Sequence, residues 1–145
     1  MYRKRNAFTL VEILIVVVIM AVLAATIIPQ FNSSTEDAQI ATAVFNLQAL
    51  RSQIELYKAQ HGGNPPDAMS KLANRTNSSG TSGTVAATFP FGPYMLRLPE
   101  NPFNNLSTVT TVTADPTAPP AGTSGWIYNT ANGNVFVDNA EHWQE

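Results

Sequence analysis

The stretch "RKRNAFTLVEILIVVVIMAVLAATIIPQ" (Arg3–Gln30) constrains this chain more than anything that follows it. From Ile13 to Ile28 every residue except Thr26 is apolar, the cluster Arg3, Lys4, Arg5 precedes the run, and Glu12 stands at its leading edge. As an α-helix, Phe8 to Ile28 rises about 30 Å, the thickness of a bilayer's hydrocarbon core. The cationic cluster predicts a cytoplasmic N-terminus, with everything after Pro29 on the far side. Glu12 is the anomaly, because a charge inside a membrane segment costs roughly 2.5–3.5 kcal/mol and is seldom left without a partner. Two simpler readings exist for such a run. One is a secretory signal cut after Ala24, which would release a soluble binding domain. The other is an uncleaved signal anchor. The first places Glu12 at the edge of a region that should be uncharged.

Beyond the run, Pro29 lacks an amide hydrogen and crowds the preceding turn, which predicts a kink in the helix. "NSSTED" (Asn32–Asp37) offers caps and first-turn acids for a fresh helical start. Ile40, Val44, Leu47, Leu50, Ile54 and Tyr57 then recur at spacings of three and four, the signature of one apolar stripe on a helix. "HGGNPP" ends it, with Gly62 suited to a left-handed cap and Pro65-Pro66 blocking continuation. Helical throughout, Phe8 to His61 would be about 80 Å long.

The rest reads as a small head. Asp67 is placed to cap a helical turn reaching Leu72. "ANRTNSSGTSGT" (Ala73–Thr84) reads as a flexible surface stretch. "FPFGPYMLRLPENPF" (Phe89–Phe103) alternates aromatics with prolines and reads as a stiff segment packed on a sheet. "LSTVTTVTA" (Leu106–Ala114) is a Val/Thr strand, and Trp126–Tyr128 with Val135–Val137 flank Asn132-Gly133 as a hairpin. The expected fold is α+β: a long N-terminal helix, its second half amphipathic, packed under a small antiparallel sheet.

"NAFTLVEILIVVVIMAVLAATIIPQF" resembles the N-terminus of type IV pilins and type II secretion pseudopilins. In that family a short basic leader is cut on the cytoplasmic side before a Phe, which the same peptidase then methylates. Carried over by position, the resemblance implies a cut between Ala7 and Phe8, N-methylation of Phe8, and Glu12 as the assembly residue that pairs with the Phe8 ammonium of a neighbouring subunit. Pro29 falls where the family has its helix-bending proline. The family favours Gly before the cut, and Ala7 departs from that. "GPY…LPENPF" resembles the corresponding region of pseudopilin heads, which favours the major pseudopilin over the adhesive pilin. The implied organisation is a leader at 1–7, a transmembrane and assembly helix at 8–28, the amphipathic half at 29–61 and a periplasmic head at 62–145. The implied place is the bacterial inner membrane, single-pass, and then a periplasmic pseudopilus. The implied partners are further copies of the chain, minor pseudopilins, the prepilin peptidase and an inner-membrane assembly platform. The alternative within the family is a type IV pilin for adhesion, motility or DNA uptake.

Other functions find little purchase. The formal net charge is −2, and without the leader's three cations five basic residues face ten acidic ones, which gives no surface suited to nucleic acid. The chain has no cysteine, which excludes thiol catalysis and disulfides, including the one that usually staples a type IV pilin's C-terminal loop. His61 sits at a helix end, where it reads as a cap, and His142 in an acidic tail, where it reads as solvated. Nucleophile, phosphate-loop and zinc-protease motifs are missing, so the chain does not read as an enzyme. Major pseudopilins commonly bind calcium in a C-terminal loop. The acids available here are Asp115, Asp138 and Glu141, more widely spaced than that chemistry favours, and no cofactor is expected.

Overall fold

The computed structural model describes residues 8–144, with the backbone alone described for 26–33. The basic cluster and Ala7 lie outside the described residues, and at Pro29, where a bend is expected, the backbone is assigned to a helix without interruption. Helix α1 spans Leu10–Gln60, so the fresh start expected at Asn32–Asp37 does not occur. Extending an existing helix fixes one residue per hydrogen bond gained, whereas a new start bears the cost of nucleation; capping residues lose that contest inside a growing helix. The chain divides into two compact units, Met1–Ala38 and Gln39–Glu145.

In the first unit, large apolar side chains at nearly every position from Phe8 to Leu23 are exposed, and consecutive positions cover every face of a helix. Among the described residues, no helix is long and apolar enough to cross a membrane.

In the second unit the apolar stripe does what its spacing predicts. Leu47, Leu50, Ile54 and Tyr57 are buried together with Ala43, while Ile40 and Val44 are half-buried at the start of the stripe. The helix ends in a Schellman cap: Gly62 takes φ 66° and the Gly63 amide donates to the Lys58 carbonyl at 2.8 Å. A short 3₁₀ turn follows at Met69–Ala73. Its cap position is Ala68, not Asp67; Asp67 instead pairs with Lys71 at 2.8 Å, one turn on. Residues 73–84, expected to be an open loop, form strands β1 (Arg75–Thr76) and β2 (Ser82–Gly83), paired antiparallel. Asn77 makes the turn possible, its Oδ1 accepting from the amides of Ser79 and Thr81.

The main sheet holds β3 (Val109–Val112), β4 (Trp126–Asn129) and β5 (Val135–Val137) in that order. The β4–β5 hairpin is antiparallel, with Trp126 opposite Val137 and Tyr128 opposite Val135, as the Asn132-Gly133 signal predicts. Strand β3, however, runs parallel to β4, so the sheet is mixed rather than antiparallel. Residues 113–125 form a crossover long enough to return the chain to the same end before β4 begins, which a tight hairpin could not do. Gly125 lets that return close: a Cβ there would lie 2.0 Å from the Leu106 carbonyl oxygen.

Trp126, Tyr128, Val135 and Val137 pack on Leu47, Leu50, Ile54 and Tyr57, with Tyr94, Met95, Leu98 and Phe103 closing the sides. The Pro-aromatic segment thus packs as expected, and the Trp126 indole donates to the Pro99 carbonyl at 2.8 Å.

Tyr128 is fully buried and its hydroxyl donates to the Pro66 carbonyl at 2.6 Å. Burial pushes this phenol far above the ordinary range, and Tyr57 and Asp67 add to the effect. The unfolded chain then loses the proton at a lower pH than the folded one. Stability from this group is complete below pH of about 10 and declines as pH rises beyond it. Tyr128→Phe strands the Pro66 carbonyl and lowers stability by about 1–3 kcal/mol at neutral pH. The variant also melts with a shallower loss between neutral and strongly alkaline pH than the native protein, as followed by circular dichroism. An identical alkaline slope in the two would remove Tyr128 as its source.

Candidate functional site

The first helical turn of α1 holds Glu12 in a reciprocal clasp. The Glu12 amide donates to Thr9 Oγ1 at 3.2 Å, and the Thr9 amide donates to Glu12 Oε2 at 2.9 Å. The Thr9 hydroxyl also lies 3.0 Å from that same oxygen. This is a capping box, Thr-x-x-Glu, in which two otherwise orphaned amides are satisfied by each other's side chains. Only one carboxylate oxygen is used by Thr9. Phe8, immediately before the box, is 81% exposed. Thr9 is the residue that reading the sequence for charge passes over; the spacing in "TLVE" is the signal that could have found it.

The C-terminal acids are not gathered at one point. Asp115 Oδ1 accepts from the side-chain amides of Asn129 at 2.6 Å and Asn132 at 3.1 Å, and its Oδ2 from Asn134 at 2.8 Å. These donors, Asn129 foremost, hold its carboxyl below the usual carboxylate range. Asp138, 3% exposed, lies at the other end of the 113–125 crossover. Its Oδ1 accepts from the Gly122 amide at 2.7 Å, and its Oδ2 from the Ser124 amide and hydroxyl, each at 2.6 Å. Glu141 is exposed, and its backbone amide donates to Asn139 Oδ1. Calcium needs six or more hard oxygens directed at one point. The carboxylates of Asp115 and Asp138 are already covered by N–H and O–H donors, which a cation would have to displace, so these residues do not fit the ion.

The two histidines are structural. His61 is buried, stacked on Tyr57 at 3.8 Å, with Nδ1 2.8 Å from the Tyr57 carbonyl and Nε2 3.1 Å from Thr76 Oγ1. It caps a terminal carbonyl of α1, as its position predicts. His142 is not merely solvated: it stacks on Phe103 with ring centroids 4.8 Å apart.

Residues 2–28 match the prokaryotic N-terminal methylation motif. Over 65 residues the chain is 38% identical to type II secretion system core protein G of Dickeya chrysanthemi, a match covering 45% of this chain and 42% of that one. The corresponding protein of Pseudomonas aeruginosa is 35% identical over 63 residues, 43% of this chain and 44% of its own. Type IV major pilin protein PilE of Neisseria gonorrhoeae is 33% identical over 66 residues, 46% of this chain and 40% of its own. Over the matched part, the chain is thus similar both to type II secretion system core protein G and to a type IV major pilin. The chain spans less than half the length of these curated relatives. No solved structure gives a significant match.

Proposed function

We propose that the chain is a structural subunit of a type II secretion pseudopilus, polymerising through its N-terminal helix into a periplasmic filament that drives protein export. The observation that carries this reading is the methylation motif at 2–28, opening on a helix whose side chains are apolar on every face and whose first turn holds one carboxylate. A helix of that kind belongs in lipid or at the centre of a bundle of its own kind. Residues 1–7 are the leader, 8–28 the membrane and assembly helix, 29–61 the amphipathic half, and 62–145 the head. The subunit waits in the inner membrane with its N-terminus in the cytoplasm and its head in the periplasm. The prepilin peptidase cuts between Ala7 and Phe8 and methylates Phe8; a secondary amine keeps the positive charge. The assembly platform then passes subunits into the filament, joined by minor pseudopilins. The work is mechanical rather than catalytic. The pilin reading is favoured by the match to PilE and opposed by the absence of cysteine for a stapled loop.

Mass measurement of the N-terminus tests this directly. In cells carrying a prepilin peptidase the mature chain begins at methylated Phe8, and Ala7→Gly shortens the life of the precursor without moving the cut, because glycine presents less bulk to the peptidase. A chain beginning at Ala25, or processing that ignores the peptidase, overturns the prepilin reading in favour of a secreted domain.

A further inference from the structure

Calcium's poor fit to the C-terminal acids has a structural counterpart: the crossover 113–125 is held at both ends by hydrogen-bond donors. At its start, Asp115 receives the amides of three asparagines on the β4–β5 turn. At its end, Asp138 receives the amides of Gly122 and Ser124. The carbonyls that a cation would recruit are also engaged. Asn104 Nδ2 donates to the carbonyls of Ser124 at 2.7 Å and Gly122 at 3.3 Å. Asn101 Nδ2 donates to those of Gly125 at 2.9 Å and Asp138 at 3.4 Å, and Asn101 is fully buried.

The direction of four of these five side-chain amides is fixed by a second set of bonds. Asn101 Oδ1 accepts from the Phe103 amide, Asn104 Oδ1 from Leu106, Asn129 Oδ1 from Ala131 and Asn132 Oδ1 from Asn134. Each side-chain oxygen is thus committed to a nearby backbone N–H, which leaves the NH₂ group to face the acids and carbonyls. Turning any of these amides over, so that its oxygen could ligate an ion, would set NH₂ against N–H and oxygen against oxygen.

We propose that this head is locked by asparagine and backbone amide donors at the positions where a cation would otherwise bridge the crossover, and that its folding is indifferent to calcium. Positive charge at the lock is supplied by fixed dipoles, which leave with no chelator and need no ion outside the cytoplasm. The proposal does not depend on the filament reading.

The test uses the full-length chain in detergent micelles, melted by near-ultraviolet circular dichroism after chelation and again in millimolar calcium chloride, with magnesium chloride as control. The native protein melts at the same temperature, to about 1 °C, in all three. An occupied calcium site would raise it by about 5 °C or more in calcium alone, and that result overturns the proposal. Asp138→Ala and Asn104→Ala each lower the melting temperature, by the same amount in chelator and in calcium. A loss seen in calcium only, or no loss from either variant, also overturns it. Where Asp138→Ala yields no folded protein, Asn104→Ala, which keeps the carboxylate, carries the comparison.

Discussion

Trp126→Ala lowers the stability of the head by about 3–5 kcal/mol, the cost of an emptied core site of this size. Trp126 is fully buried, and on β4 it stands between Val109 of β3 and Val137 of β5. It shares one core cluster with Leu47 and Leu50 of α1, so its loss opens a hole in the core that helix and sheet build together. It also removes the indole donor from the Pro99 carbonyl, which holds the Pro-aromatic segment against the sheet. A small domain has only about 5–15 kcal/mol in total, so this one change consumes a large share. The melting temperature of the full chain in detergent falls by about 10 °C or more, and the head becomes open to protease at neutral pH. Leu96→Ala is the control: at 94% exposure its side chain contributes little, and the melt hardly moves. A Trp126→Ala melt as high as that control's would mean that helix and sheet do not share this core.

The parts legible from sequence are those whose signal is local. The stripe from Leu47 to Tyr57 repeats at the helical period, and the β4–β5 hairpin combines alternation with Asn132-Gly133; each names its own partner within a few residues. The parallel pairing of β3 is not local. "VTTV" reads as a strand in either direction, and only the close passage of Gly125 past Leu106 fixes which way it is met. Residues 73–84 are Ser, Asn, Thr and Gly, a composition that reads as open loop, while the strand pairing there depends on the side chain of Asn77.

At the C-terminus, attention to acids alone misses the lock. Asn101 and Asn104 act on residues 18 to 37 positions away, and nothing in their own neighbourhood announces it. At the N-terminus the opposite happened. The Thr-x-x-Glu spacing is plain to see, yet the charge of Glu12 in an apolar run draws the eye to an intermolecular partner first. The cap leaves room for the proposed pairing, since Thr9 occupies Oε2 alone.

The cap decides how Glu12 must be tested. Glu12→Ala abolishes filament growth while membrane insertion and leader cleavage continue. Removing the carboxylate makes the segment more apolar, so insertion becomes easier. On the proposed pairing, assembly loses a charge pair, and the neighbour's Phe8 ammonium would be buried without compensation at a cost of roughly 3–5 kcal/mol, repeated with every subunit added. Alanine, however, also breaks the capping box, so it cannot separate pairing from helix capping. Glu12→Gln does. An amide oxygen still accepts from the Thr9 N–H, as Gln does in this motif, but carries no charge to meet an ammonium. Filaments counted by electron microscopy from cells overproducing the secretion machinery therefore disappear for both variants, and each, mixed with the native subunit, stops growth in proportion to its share. Normal filaments from Glu12→Gln, with none from Glu12→Ala, would reduce Glu12 to a helix cap and leave the Phe8 ammonium without its partner.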